Sequence, residues 1–337
     1  MRPRFHPRLI NGPFDDPGLF IPFLYENRAI LFDLGDIYPL SARDILKISH
    51  VFITHTHMDH FIGFDKLLRL FLSREKKVYL YGPEGFLKNC EGKLAGYTWN
   101  LVDNYNYRLR LHLTEIRSDQ IISKIYHCRD KFIVPKDSTK HAFNGVLHKE
   151  QGFNITVVIL NHSIPCLGFS VHEHFHVNIV KEGLKTLGLE TGPWLTRFKQ
   201  AIYSRTDADS VFEIKVPGQQ KTRQFQLEEL AEKIALITPG QKITYITDVV
   251  YDESNNQKII EFARDSDLLF MEAAFLDKDH ETARQKYHLT ARQAGELAAR
   301  AGAKQLNVFH FSPRYLGQEN LLYEEALKAY KNSQTIS

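Results

Sequence analysis

Cysteine is scarce. Cys90, Cys128 and Cys166 are the whole supply in 337 residues, and no two of them form a CxxC pair. An odd, scattered set excludes a disulfide scaffold and fits a reducing compartment. Long apolar runs are also missing. Nothing approaches the roughly 18–20 residues of a membrane-spanning helix, and the opening MRPRFHPRLINGPFDDP lacks the apolar stretch of a secretory signal. Charge of one sign is not in excess either. Lys and Arg number 43 against 40 Asp and Glu, a net +3, which neither demands nor forbids a nucleic-acid partner. No repeat or low-complexity tract is visible. What remains, 43% apolar and 25% charged residues, is ordinary globular composition, long enough for one large domain and expected in the cytoplasm.

The coarse pattern predicts strands at FIPFLYE, RAILFDLG and SHVFITHTH, then a helix over HFIGFDKLLRLFLSRE, whose apolar residues Phe64, Leu67, Leu68 and Phe71 recur at helical spacing. FNITVVILNHSIPCLGFSVHEHF predicts two strands broken by a turn around His162. Later segments alternate: strand QKITYITDVV, helix IIEFARD, strand DLLFMEAAF, helix LTARQAGELAARAGA, strand QLNVFHFS. Strands that first pair antiparallel and then alternate with helices predict an α/β sandwich, two sheets face to face with helices outside. Residues 177–225, rich in Lys, Gly, Gln and Thr, read as an inserted arm within a single domain over 1–337.

One stretch demands chemistry. In 54-THTHMDHFIG-63, three histidines and an aspartate fall within six residues, directly behind an apolar run. His55 and His57 sit where a strand ends, and Asp59 and His60 open the next helix. The same location recurs: His162 follows ITVVIL, Asp248 follows ITYIT and His310 follows LNVF. Loops at strand ends are where a rigid scaffold assembles sites. Imidazole and carboxylate together suit zinc. Seven ligands exceed one tetrahedral ion but serve two if a carboxylate bridges, and two ions about 3.5–4 Å apart suit displacement at a phosphodiester. Taken alone, His162 or His310 reads as a hydrogen-bonded structural residue and Asp248 as a turn cap; the cluster gives them their other meaning. A rival trio, His172, His174 and His176 in VHEHFH, would share one face of a strand. Cys166 reads as a small buried residue.

These motifs bear a resemblance. THTHMDHFIG resembles the HxHxDH signature of the metallo-β-lactamase fold, and within that superfamily the chain resembles tRNase Z, the endonuclease that matures tRNA 3′ ends. NHSIPCLGF, ITDVV, MEAAFLDKDHETARQKYHLTARQAGELA and VFHFSPRY are similar to further blocks of that family, in family order across residues 30–320. KTLGLETGPWLTRF resembles its Gly-Pro-bearing tRNA-holding arm. There are departures: FDLGDIYPL stands where FDCGEGTQ is usual, Val249 where threonine is usual, and Met271 where histidine often precedes the glutamate. Residues 95–150, with DNYNYRLRLHL, fall in none of these blocks.

The resemblance implies an αββα sandwich holding two zinc ions per chain. His55, His57 and His162 would bind one, Asp59, His60 and His310 the other, with Asp248 bridging. It implies His288 as the proton-transfer residue, Glu272 as its orienting carboxylate and Asp59 as the group that orients water. It implies precursor tRNA as partner, gripped by Lys181, Lys185, Gly192, Pro193, Arg197 and Lys199 of the arm, and a homodimer. Two other readings stay open: a small-substrate or cyclic-nucleotide phosphodiesterase of the same fold, and a non-catalytic RNA-binding module.

Overall fold

The computed structural model describes residues 4–24, 26–72, 74–203, 210–215 and 222–334. Two sheets stack face to face. The first has eight strands in sequence order, from Arg8–Leu9 through Leu19–Pro22, Ala29–Phe32, Ile48–Phe52, Lys76–Pro83, Leu109–Ile116 and Gln120–His127 to Thr139–Ala142. The second has six, ordered Leu306–Phe309, Leu268–Glu272, Lys242–Ile246, Pro165–Glu173, Phe153–Asn161, Val146–Glu150. Residues 95–150, left unassigned by the sequence motifs, supply strands to both sheets.

Three apolar clusters define the layers. Phe32, Phe52, Phe153, Phe169, Tyr245 and Phe309 belong to the core between the sheets. On one outer face, Ile45, Leu67, Phe71, Phe86 and Leu94 bury the helices Ala42–Lys47, Phe64–Phe71 and Phe86–Ala95. On the other, Ile259, Ala294, Leu297, Leu322 and Ala326 bury Glu253–Phe262, Ala291–Arg300 and Glu319–Gln334. This is the expected αββα sandwich. The alanine-rich helix 291–300 lies close to its neighbour: a Cβ on Gly295 would come within 2.3 Å of the Ala326 carbonyl oxygen. The single helix expected from residue 60 is two, Met58–Phe61 and Phe64–Phe71. No helix among the described residues is long and apolar enough to cross a membrane.

The segment expected as an arm lies inside a unit bounded by a two-stranded neck, Phe175–Ile179 paired antiparallel with Ala235–Pro239. The unit holds helices Lys181–Thr186, Trp194–Tyr203 and Leu227–Ile234, and the hairpin Val211–Lys215/Thr222–Gln226. It has a core of its own, with Leu184, Trp194, Phe198, Ile214, Leu230 and Ile234. Apolar spacing in WLTRF carries that core, although the surrounding Lys and Gly mask it in sequence. Residues 204–209 and 216–221 of the arm lie outside the described residues. At the neck, the buried Glu173 carboxylate accepts from His176 Nδ1 (3.1 Å) and the Tyr203 hydroxyl (3.3 Å).

The sheets are tied at the end where Ala29–Phe32 begins. Arg28 donates twice to Glu150 of the second sheet, at 2.5 and 2.7 Å, and lies 4.4 Å from the Phe23 ring centre. Both partners are mostly buried, so a charge left alone there is costly. Arg28→Ala is expected to lose about 1–3 kcal/mol of stability, measured by urea denaturation; a change under about 0.5 kcal/mol would show that the pair behaves as an exposed one.

Candidate metal centre

Each ligand candidate is delivered by the end of a strand. Ile48–Phe52 runs parallel to Ala29–Phe32, so residues 33 and 54 emerge at the same edge. There the FDLG loop and the histidine loop clasp each other. Leu34 N–H donates to the His60 carbonyl and Gly63 N–H to the Leu34 carbonyl, each at 2.9 Å. A side chain at Gly63 would strike the Gly35 carbonyl oxygen at 2.3 Å, so this approach requires glycine. The second sheet brings His162, Asp248 and His310 to the same place.

Two groups result. His55, His57, His162 and Asp248 each present a ligand atom within 4.8 Å of the others, and so do Asp59, His60 and His310. Asp248 faces both. Its Oδ2 lies 3.5 Å from Nε2 of His55, 3.5 Å from Nε2 of His162 and 3.4 Å from Nε2 of His60. Its Oδ1 lies 3.0 Å from His310 Nδ1. Asp59 Oδ2 is 3.5 Å from His60 Nε2 and 3.4 Å from His310 Nε2. All seven sequence candidates therefore come together.

The residues fit a metal. His55 Nε2, His60 Nε2 and His310 Nδ1 are buried without an aligned hydrogen-bond partner. Orphaned polar atoms cost about 1–3 kcal/mol each, and three converging on carboxylates make a seat for a cation. Two ring nitrogens are held from behind, which sets the tautomer. His60 Nδ1 donates to Asp33 Oδ2 (2.9 Å), and His162 Nδ1 to the Tyr287 carbonyl (2.8 Å). Burial and the neighbouring His60 push His55 down to about 2, keeping it neutral. Burial opposes the charge on His60, but Asp248 and Asp33 prevail and lift it to about 10. Asp248 likewise lifts His310 against its burial. A metal entering this site must displace those protons.

His288 is placed by two helix ends. The helix His280–Gln285 closes with Tyr287 N–H donating to Arg284 O and His288 N–H to Ala283 O, and the next helix opens on a reciprocal cap between Thr290 and Gln293. His288 Nδ1 donates to the fully buried Glu272 at 2.7 Å, leaving Nε2 as the free nitrogen. Glu272 is anchored in turn by the Val249 N–H at 2.8 Å, a backbone contact that the replacement of the usual threonine leaves available. Burial opposes charge on His288, yet the Glu272 carboxylate raises its pKa.

The residues behind the ligands escaped the sequence reading. Asp33 accepts from Thr54 N–H (2.8 Å), the Thr54 hydroxyl (2.9 Å) and the Tyr245 hydroxyl (3.0 Å) as well as from His60. Its only sequence signal was its place in FDLG; Tyr245 had none. Cys166 is fully buried, its thiol on the Thr247 carbonyl at 3.3 Å and its pKa raised by burial. Backbone strain gathers here too. Asp33, Ser163, Asp248, Tyr287 and His310 all have left-handed φ of 46–60°, a conformation that costs non-glycine residues energy and persists where surroundings impose it.

The arm candidates do not join the centre. Lys185 is exposed on Lys181–Thr186, Gly192 and Pro193 precede Trp194–Tyr203, and Arg197 and Lys199 lie on that helix. The rival histidine trio is split, because one strand ends at Glu173 and the next begins at Phe175. Another cluster, His50, His148 and Glu150, has ligand spacing, but Arg28 already engages both Glu150 oxygens.

Comparison with known proteins places this geometry. A family model described as a beta-lactamase superfamily domain matches residues 205–311. Ribonuclease Z of Geobacillus kaustophilus is 30% identical, over 86% of this chain and 78% of its own length. The chain belongs to the ribonuclease Z family. Ribonuclease Z of Deinococcus radiodurans is 28% identical over 85% of this chain and 83% of its own. Solved structures agree on the fold. The metallo-beta-lactamase fold protein YhfI of Bacillus subtilis has a TM-score of 0.53 at 15% identity, covering 97% of this chain and 94% of its own. A long-form RNase Z from yeast has 0.51 at 13%, covering 91% and 37%, and unliganded yeast PDE1 has 0.51 at 11%, covering 96% and 93%. These structures show the fold alone; the family rests on the sequence relatives.

Three outcomes are expected of this centre. Asp248→Ala should lose transition metal from both groups, read by elemental analysis, because its carboxylate faces both. Asp33→Ala should weaken metal affinity roughly 10–100-fold, and affinity in the unaltered chain should fall as pH drops, since protons then compete better with the metal for His60 and His310. Full metal retention by Asp248→Ala would remove it from the ligand set.

Proposed function

We propose that the chain is a metal-dependent endoribonuclease that removes the 3′ trailer from tRNA precursors and leaves a 3′-hydroxyl. It would hold two zinc ions and act in the cytoplasm as a homodimer. The observation that carries this reading is the His288–Glu272 pair set beside the seven converging ligand candidates, in a chain whose ribonuclease Z likeness spans 86% of its length.

His55, His57 and His162 would hold one ion and Asp59, His60 and His310 the other, with Asp248 between. Zinc there would lower the pKa of water toward about 7 and offset phosphate charge. The side chains supply the rest. Burial raises Asp59, but the His310 hydrogen bond and the His60 charge outweigh it and keep the carboxylate ionised. It is half exposed, so it orients the attacking water and receives its proton. His288 is held by Glu272 with Nε2 free, and the raised pKa keeps a proton available near neutral pH. That proton goes to the 3′ oxygen as the P–O3′ bond breaks. Away from the cut, Lys181, Lys185, Arg197 and Lys199 would meet backbone phosphates, making binding salt-sensitive. A folded unit with its own core is a stiff handle, suited to a substrate far larger than the cleft, which disfavours the small-diester reading.

The direct test is to incubate purified protein with a tRNA precursor bearing a 3′ trailer and map the ends. Cleavage after the discriminator base with a 3′-hydroxyl is expected. His288→Ala should cut turnover roughly 100-fold or more while metal content stays. Replacing 181–233 by a short Gly/Ser link across the neck should depress precursor binding and its salt dependence far more than hydrolysis of bis(p-nitrophenyl) phosphate. Equal tRNA processing without the handle would favour the small-substrate phosphodiesterase.

A further inference from the structure

Tyr287 occupies a place that chemistry alone does not require. The helix His280–Gln285 ends in a reciprocal pair of backbone bonds, Tyr287 N–H to Arg284 O and His288 N–H to Ala283 O. That closure puts Tyr287 in the left-handed region, with φ at 60°. The position belongs by preference to glycine, or to asparagine, because a Cβ there is penalised. A bulky aromatic is therefore retained at a cost, and such outliers point toward function. Of the left-handed non-glycine residues around the centre, Asp33, Asp248 and His310 have roles in the ligand network, and Ser163 adjoins His162. Tyr287 contributes its carbonyl, which accepts from His162 Nδ1 at 2.8 Å. Glycine would supply that carbonyl equally well, so the ring is left to explain.

The ring lies beside the reacting groups. Its centre is 6.3 Å from that of His162, nearly perpendicular, and the residue is 39% exposed. It directly precedes His288. A large ring partly open to solvent, close to a candidate ligand and next in sequence to the proton donor, offers a π-face where a nucleotide flanking the cut would lie. Unpaired RNA bases are recognised by stacking on aromatic side chains, and stacking tolerates any base because each has a π-face. We propose that Tyr287 is a base-stacking residue of this site: its ring holds the nucleobase adjoining the scissile phosphate, while its carbonyl orients His162. The inference rests on the endoribonuclease reading above.

The test compares Tyr287→Gly, which suits the left-handed backbone and keeps the carbonyl, with Tyr287→Phe, which keeps the ring. On a tRNA precursor, Tyr287→Gly should raise KM roughly 10-fold or more, with kcat changed much less, and Tyr287→Phe should restore KM. A precursor abasic on one side of the cut should impair the unaltered enzyme by a similar factor and Tyr287→Gly hardly further. The melting temperature of Tyr287→Gly should hold or rise. Equal sensitivity of both proteins to the abasic site would overturn the proposal, as would unchanged KM in Tyr287→Gly or a fall in its stability with KM intact. Binding of short fluorescent single-stranded RNA, intact or abasic at successive positions, separates the two readings. If no precursor is cut, the endoribonuclease reading fails; loss of the base preference in Tyr287→Gly would still support stacking, and its persistence would reject it.

Discussion

One buried carboxylate organises the centre. Asp33, at the end of a first-sheet strand, accepts from Thr54, from His60 and from Tyr245 of the second sheet. It is fully buried, so each of those donors is needed to make its burial tolerable. The result joins both sheets to the loop that carries His55, His57, Asp59 and His60. The clasp between Gly35 and Gly63 closes the same loop from the other side. Ligand candidates from separate strand ends are thereby held as one set, facing Asp248.

The second organising feature is the pairing of strain with function. Asp248, His310 and Tyr287 are all left-handed, and each turns the chain back toward the cleft just past a strand or helix end. Around His288, a helix stop and a helix start compress the approach into a few residues. Glu272 then locks the imidazole. The pKa values follow from this crowding: carboxylates hold His60 and His310 protonated when no ion is present, so metal loading and proton release are one event.

The folded handle is built on a different logic. Its neck of paired strands and its Trp194–Phe198 core keep it rigid without touching the ligand chemistry. On the proposed function, binding energy gathered there would serve a large substrate and contribute nothing to a small one. Under that proposal, what is attached to the sandwich, more than the sandwich itself, would match it to one substrate class.

Much of this was legible in the residues themselves. The seven ligand candidates were visible because metal chemistry demands uncommon residue types at strand ends, and THTHMDH has them at a density that packing does not ask for. The layer order followed from apolar periodicity, and His288 and Glu272 from family resemblance. Other features had no linear signature. Asp33 and Tyr245 are 212 positions apart, and only packing of one sheet on the other brings them together. The division of the helix after His60 was hidden because its apolar spacing continues through the break at Gly63. The handle's core was diluted by the Lys and Gly around it. VHEHFH promised one face on one strand, but the neck begins inside it. Residue type settles which groups are able to bind a metal or move a proton; tertiary structure decides which of them meet, because convergence is a property of the sheets' contact and not of neighbours along the chain.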